Sequence, residues 1–342
     1  MSEAIAVGLY GKQHNPFLPA GGSRYEMVDT FWDFEAAMGP IVLGFFPSII
    51  ARKGHLARAK LASTLLPYYK AGYDQMEGTS ALVKERGRLF RKWDMPVDEI
   101  AKNEVAVILV AVANTIPTMF WLFYHVWTRP ELVDRLRREA AQHVACLAGT
   151  AGKLPPAGVE EICLTYSTIG ESCPLLHSCF REVARLASQN ATLRRVLEDT
   201  VLTEENGQSW VLKKGNNVIL PGECLHRDRE TWGEDADEFN PERFLPNSAP
   251  SKENERLRKL SYVPFGGGKH LCPGRRFALA ETLSFMAALV LGFEVEGLDP
   301  EKTRMQWSKM GQAAKPLPGY EGGPVTIRRR DGWEHIVWKF DA

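Results

Sequence analysis

From Val105 to Thr128 the chain carries no Asp, Glu, Lys or Arg, and this run limits the possible folds more sharply than any other feature. A charge-free segment of such length either crosses a bilayer or passes through a large core. Its own composition favours the core. Asn114, Thr115, Pro117, Thr118 and His125 all lie inside it, and polar groups surrounded by apolar matter need partners. Pro117 removes a backbone donor and clashes with the preceding turn, so the pattern predicts a long helix distorted around Ala113 and Asn114. A polar pair at a helix distortion is a candidate site.

A helix of that kind needs a sizeable domain around it. The 342 residues suffice for about two domains or one large one. With 44% hydrophobic and 25% charged residues, the chain matches an ordinary globular protein. Lys+Arg and Asp+Glu balance at 42 each, so no basic excess drives nucleic-acid binding and no nucleic-acid partner is expected. The six cysteines, Cys146, Cys163, Cys173, Cys179, Cys224 and Cys272, have no dense regular spacing, which argues against a disulfide scaffold and for a reducing environment. The opening residues show no basic stretch followed by an apolar one, so no signal peptide or anchor is read there.

The first part, 1–190, reads as helical and 191–342 as mixed β and loop. Phe31 to Met38 is a short amphipathic stretch, and Pro40, Gly44 and Pro47 break the apolar residues that follow. Residues 40–50 are too few to span a bilayer; they read either as a buried turn or as a loop dipping into a membrane surface. A basic amphipathic helix is predicted over 51–73, another amphipathic helix over 129–146, a Gly/Pro linker over 147–158, and a further helix over 172–186. Trp210-Val-Leu and Val218-Ile-Leu-Pro flank a Lys-Lys-Gly-Asn-Asn turn and read as a hairpin. Pro-rich irregular chain follows to Pro264, then a glycine run, an apolar helix over 275–291, and short strands near Phe293 and Val325.

The most informative stretch is Phe265-Gly-Gly-Gly-Lys-His-Leu-Cys-Pro-Gly274, which leads directly into that apolar helix. Its glycines permit positive φ and a tight turn, which can aim backbone N–H groups at the sulfur of Cys272, and the helix adds its positive end. Both effects suit a thiolate ligand, and Gly274 leaves room for a flat cofactor to approach. A phosphate loop fails, because that pattern needs Ser or Thr after the lysine and a glycine where Val263 stands, whereas His270 follows Lys269. A buried cysteine beside a glycine turn accounts for neither Phe265 nor His270 at their offsets. A zinc site at Cys173, His177 and Cys179 is disfavoured, since positions i and i+4 share a helix face but i+6 turns away. His125 and Trp121 read as core packing.

The spacing Phe-x-x-Gly-x-His-x-Cys-x-Gly resembles the haem-thiolate ligand loop of the cytochrome P450 family. Two other stretches resemble that family in the same order. Glu182-Val-Ala-Arg185 places its charges three residues apart on one helix face, and Asp237-Glu-Phe-Asn-Pro-Glu-Arg-Phe244 supplies Arg243 as third member of a Glu-Arg-Arg triad. His226-Arg-Asp-Arg-Glu-Thr-Trp-Gly-Glu-Asp-Ala is similar to the family's connecting stretch. In the long helix, Ala111-Val-Ala-Asn-Thr115 keeps the family's threonine but has Val112 for its glycine and Asn114 for its acid. Asn cannot ionise, though it can hold a water. Ala-Asn-Thr-Ile-Pro-Thr-Met-Phe-Trp is similar to the branch with sterol 7α- and 12α-hydroxylases, prostacyclin synthase and related fungal sequences, many associated with secondary metabolism.

The resemblance implies a mainly α (α+β) fold, the cytochrome P450 fold lacking roughly its N-terminal third, as one partial catalytic domain. It implies haem b, iron protoporphyrin IX, with Cys272 as axial ligand. Phe265, Gly266, Gly268, His270 and Gly274 would surround the cofactor, and Glu182, Arg185 and Arg243 would lock the loop. Thr115 and Asn114 would order water for proton delivery. Ala111, Val112, the segment near Thr192 and the turn near Gly311 would line an apolar substrate pocket. The implied activity is monooxygenation of a hydrophobic molecule, a sterol, terpenoid or polyketide, using molecular oxygen and an NADPH-dependent reductase at the endoplasmic reticulum membrane. A hydroperoxide isomerase of the prostacyclin-synthase type and a non-catalytic fragment are the alternatives; the retained Thr115 favours the monooxygenase.

Overall fold

The structure, a computed structural model, describes residues 2–18, 26–44, 46–148, 160–306 and 313–341. They fall into two compact units, 1–116 and 117–342.

In the first unit the described elements are helices: α1 (Ser2–Tyr10), α2 (Glu26–Ala36), α3 (Met38–Leu43), α4 (Pro47–Ile50), α5 (Arg52–Lys70), α6 (Ala81–Lys92) and α7 (Val97–Val112). Helix α5 buries Gly54, Ala57, Leu61, Leu65 and Tyr68, three or four residues apart, and this stripe packs against α2 and α7. The contact is close at Gly54, where a Cβ would lie 2.0 Å from that of Ala37. Ile5, Phe31, Leu61, Ile100 and Ile108 are central to the core. Ser80 caps α6 by accepting the Val83 N–H, and Asp98 and Glu99 sit in the first turn of α7, where the helix dipole favours negative charge.

The charge-free run begins inside α7, which starts earlier than Val105. It breaks at Ala113 and Asn114 and resumes as α8 (Thr115–Trp127). Pro117, with no N–H to offer the carbonyl one turn back, accounts for the break at the predicted residues. Among the described residues Val97–Trp127 is long and apolar enough to cross a membrane, yet 61% of its most apolar window is buried, as in a core helix.

The second unit continues with α9 (Pro130–Ala148), β1 (Glu161–Thr165), α10 (Tyr166–Ser172) and α11 (Pro174–Ala187). Strands β2 (Ala191–Arg195), β3 (Thr200–Thr203), β4 (Ser209–Leu212) and β5 (Asn217–Pro221) follow, then α12 (Gly222–Arg227), α13 (Arg229–Trp232) and α14 (Lys252–Ser261). The chain closes with α15 (Arg275–Gly292), β6 (Phe293–Glu296), β7 (Thr303–Gln306), β8 (Lys315–Glu321), β9 (Thr326–Arg329) and β10 (Val337–Asp341). Helix α15 is the hub of this unit and packs on α9, α10 and α11 through Leu283, Met286, Ala287, Val290 and Leu291.

Among the described residues the strands form five two-stranded pairs, of which β1 with β10 is parallel and the others antiparallel. The expected hairpin between Trp210 and Val218 is not formed. Strand β4 pairs with β3 and β5 with β2, so the turn at Gly215 joins two different sheets. The expected helix over 172–186 is present as α11, which starts two residues later at Pro174 because a separate helix, α10, ends at Ser172. The segment expected to be irregular up to Pro264 contains α12, α13 and α14, the last capped by Ser251. Strands near Phe293 and Val325 are present as the pair β6–β9. The expected linker lies almost entirely outside the described residues.

Candidate functional site

The glycine run folds into two successive turns. Gly266 and Gly268 take positive φ, 72° and 60°, whereas Gly267 is extended at −161°. The Gly266 N–H donates to the Val263 carbonyl at 3.0 Å, the Leu271 N–H to Gly268 at 3.2 Å, and the Cys272 N–H to Phe265 at 2.9 Å. Helix α15 starts three residues after Cys272, and Arg275 Nη1 reaches back to the Cys272 carbonyl at 3.1 Å. Phe265 packs against the core of this unit, while Cys272 is half-exposed and His270, Gly268 and Gly274 are exposed.

A cofactor fits these residues. A Cβ built on Gly274 would meet only the Cys272 sulfur, at 3.9 Å, so the space between that glycine and the sulfur is open, and Gly267 and Gly268 are likewise uncrowded. Leu271 and Phe277 present apolar surface on either side of Cys272 in sequence. Among the described residues no three His, Cys, Asp or Glu side chains gather to hold a metal ion. A single half-exposed thiol therefore suits a metal that brings its other donors with it, as haem iron does.

Behind the loop, Glu182, Arg185 and Arg243 are all buried and all joined. Arg185 donates from Nε and Nη2 to the two Glu182 oxygens, each at 2.8 Å, and from Nη1 to the carbonyls of Ala236 at 2.6 Å and His226. Arg243 Nε reaches Glu182 Oε1 at 2.9 Å, and its other nitrogens reach the Trp232 carbonyl at 2.6 Å and Asp235 Oδ1 at 3.0 Å. The Asn240 N–H adds a bond to Glu182 Oε1 at 3.1 Å. Burial alone would lower the pKa of Arg243, but hydrogen bonds to Asp235 and the charge of Glu182 raise it. Buried charges persist only when so fully bonded. Here the bonds organise the segment 226–243, which has little regular structure.

Four residues that hold the loop were not evident from the sequence. Asn190 Nδ2 donates to the Val263 carbonyl at 2.8 Å and to that of Pro264 at 3.2 Å, and Ser188 Oγ also reaches Pro264 at 3.4 Å. His226 Nε2 accepts the Val263 N–H at 2.9 Å, and Arg194 Nη2 approaches the Gly267 carbonyl at 3.5 Å. The nearest signal was a polar Ser-Gln-Asn run just after the Glu-x-x-Arg pair.

Asn114 and Thr115 lie at the end of the first unit, Asn114 exposed and Thr115 buried, with Val112 buried and Ala111 half-buried before them. Thr192 lies on β2 in the second unit, and Gly311 is outside the described residues. Cys173 and Cys179 are fully buried; burial pushes the Cys173 thiol up to about 12 and that of Cys179 higher, so both stay protonated and make poor ligands. Trp121 Nε1 donates to the Ala314 carbonyl at 2.7 Å. His125 stacks on Phe239 with centroids 4.4 Å apart, and burial pushes its pKa down to about 3. Both are core residues.

A family model described as Cytochrome P450 matches residues 5–320. A cytochrome P450 monooxygenase of Gibberella zeae is 33% identical over 99% of this chain and 63% of its own length. The cytochrome P450 monooxygenase nodJ of Hypoxylon pulicicidum is 31% identical over 98% of this chain and 63% of its own. A 25-hydroxycholesterol 7-alpha-hydroxylase of Rattus norvegicus is 30% identical over 83% of this chain and 67% of its own. The chain thus spans a little under two thirds of the two fungal relatives.

Proposed function

The chain belongs to the cytochrome P450 family, and from that premise we propose that the protein is a haem b-dependent monooxygenase that hydroxylates a hydrophobic small molecule. The observation that carries the reading is Cys272, a half-exposed thiol with open space beside it, at the end of a loop tied to a buried charge network. Bound through a thiolate, haem supplies the activation of molecular oxygen. Cys272 would donate its sulfur, Phe265 would pack beside it, and Gly266, Gly268 and Gly274 would let the cofactor plane approach the backbone. The exposed His270 would sit where a propionate can be hydrogen-bonded. Glu182, Arg185 and Arg243 would hold the loop without touching the cofactor.

Thr115 and Asn114 would order water for proton delivery at the helix break, Thr115 through its hydroxyl and Asn114 as a neutral amide that holds a water without titrating. Ala111 and Val112 support an apolar substrate, and the sterol named in the rat relative makes a sterol the first class to screen, with terpenoids and polyketides next. Electrons would come from an NADPH-dependent reductase. Val42, Leu43, Phe46, Ile49 and Ile50 are all well exposed beside the basic start of α5, which supports a membrane surface as partner and the endoplasmic reticulum as location.

The reading is tested by a reduced carbon monoxide difference spectrum of the full-length protein and its Cys272→Ala variant. A red-shifted Soret band in the parent that is lost in the variant is the expected result. A neutral-ligand band in both overturns it.

A further inference from the structure

We propose that Asn190 and His226 are positioning residues that set the seat of Cys272 through the two residues preceding Phe265, and that Gly222 is required for Asn190 to do so. The inference rests on the reading of Cys272 as an axial ligand.

Val263 and Pro264 belong to no helix or strand, so no ladder satisfies their backbone groups. Side chains do most of this instead. The Val263 N–H goes to His226 Nε2, the Val263 carbonyl takes the Asn190 amide beside the Gly266 N–H of the turn, and the Pro264 carbonyl takes both Asn190 and Ser188. The next residue, Phe265, uses its carbonyl to accept the Cys272 N–H at 2.9 Å. A shift of Val263 and Pro264 is thus passed to Cys272 through one intervening hydrogen bond.

His226 also ties this approach to the buried charges. Its carbonyl accepts from Arg185 and its ring from Val263, so one residue spans the network and the loop. Accepting an N–H requires a neutral ring, and burial together with the Arg185 charge pushes the His226 pKa down to about 4, which keeps Nε2 an acceptor at neutral pH.

Asn190 is held by a different device. The Gly222 N–H donates to the Asn190 backbone carbonyl at 2.9 Å, and a Cβ on Gly222 would fall 2.0 Å from Asn190 Oδ1. The absent side chain at 222 lets the amide lie flat there with its NH2 aimed at the two carbonyls. The sequence therefore couples a glycine at the start of α12 to Val263 and Pro264, about forty positions later.

The experiment compares the parent full-length protein with Asn190→Ala, Gly222→Ala, His226→Phe and His226→Gln. Amide hydrogen exchange of a peptide covering 262–272, followed by mass spectrometry without added haem, gives the first readout. Exchange there should rise about tenfold in Asn190→Ala, Gly222→Ala and His226→Phe, as expected for loss of one net hydrogen bond, while the α11 peptide keeps its protection. Combining Asn190→Ala with Gly222→Ala should give less than the sum of the two, because the closest contact of a Cβ at 222, with Asn190 Oδ1, is gone once the amide is removed, and only the contact with the Asn190 backbone carbonyl at 2.9 Å remains. The second readout is the reduced carbon monoxide spectrum of the haem-loaded proteins. The neutral-ligand band should grow in His226→Phe and recede in His226→Gln, whose carbonyl oxygen restores an acceptor. Unchanged exchange at 262–272, or equal loss of protection in α11, overturns the proposal. A parent without a thiolate-type band overturns instead the reading of Cys272, and the exchange comparison still decides the clamp.

Discussion

In the first unit Asp74 and Glu104 are fully buried while their cations, Arg91 and Arg86, stay 35% and 34% exposed. In the second, Glu182 and both its arginines are buried together. The first arrangement ties α6 to regular structure: Arg91 on α6 grips Asp74, in the short 3-10 turn Tyr73–Gln75, at 2.7 and 2.8 Å, and Arg86 on α6 bonds Glu104 on α7 at 2.7 Å. Those helices already satisfy their own backbones, and the cations keep part of their hydration. The second arrangement spends most of its donors on carbonyls of a segment with little helix or strand. A surface-facing ion pair fastens structure that exists without it, whereas a fully buried one takes the place of secondary structure.

The largest effect that sharpens this contrast should come from Glu182→Leu, which strands two buried guanidinium groups. It should cost about 3–5 kcal/mol, seen as lost exchange protection confined to 117–342. Equal loss in 1–116 would break the comparison.

Next comes acid. The folded pKa of His226 lies at about 4, below its ordinary 6.5. The unfolded chain therefore takes up the proton first, and stability falls as pH drops from about 6.5 to about 4, by up to about 3 kcal/mol. The difference between the parent and His226→Gln isolates this contribution, because Glu281, which burial pushes up to about 7, titrates in both. In the first unit Glu104 acts in the opposite sense. Burial raises its pKa despite Arg86, so its contribution worsens as pH rises through and above the ordinary carboxylate range.

Arg91→Ala should cost less, about 1–3 kcal/mol, since Asp74 keeps a bond from Gln75 at 2.6 Å. Thermal or urea unfolding of the first unit measures it. The smallest effect is expected for Gly87→Ala, whose Cβ would lie 2.1 Å from Asp74 Oδ2 and 3.0 Å from Arg91 Nη1. A loss of about 1 kcal/mol that does not add to that of Arg91→Ala would place both changes on one pair.

Much of the candidate site is legible in the sequence because its parts are local. The Glu182–Arg185 pair needs only a helix, the Cys272 loop only its glycines, and the break at Ala113 only Pro117. Strand partners were harder to read. The turn at Gly215 shows that the chain bends, not which strands pair, whereas Asn206-Gly207 is the stronger hairpin signal and lies between the paired strands β3 and β4. The pairing of β2 with β5, and of β1 with β10, depends on contacts between distant segments. So do the roles of Asn190 and His226, whose partners are backbone groups and leave no mark on residue type.

The parallel pair β1–β10 also bears on timing. A growing chain leaves the ribosome in order, at about 5–20 residues per second, and about three quarters of the second unit separates these two strands. Strand β1 therefore waits on the order of ten seconds or more for its partner, while the elements of 1–116 have all emerged before synthesis of the second unit is well under way. During that interval Ile162 and Leu164, buried in the finished fold, have no neighbour strand beside them. Nascent chains halted before Val337 should accordingly be the species that folding assistants hold longest.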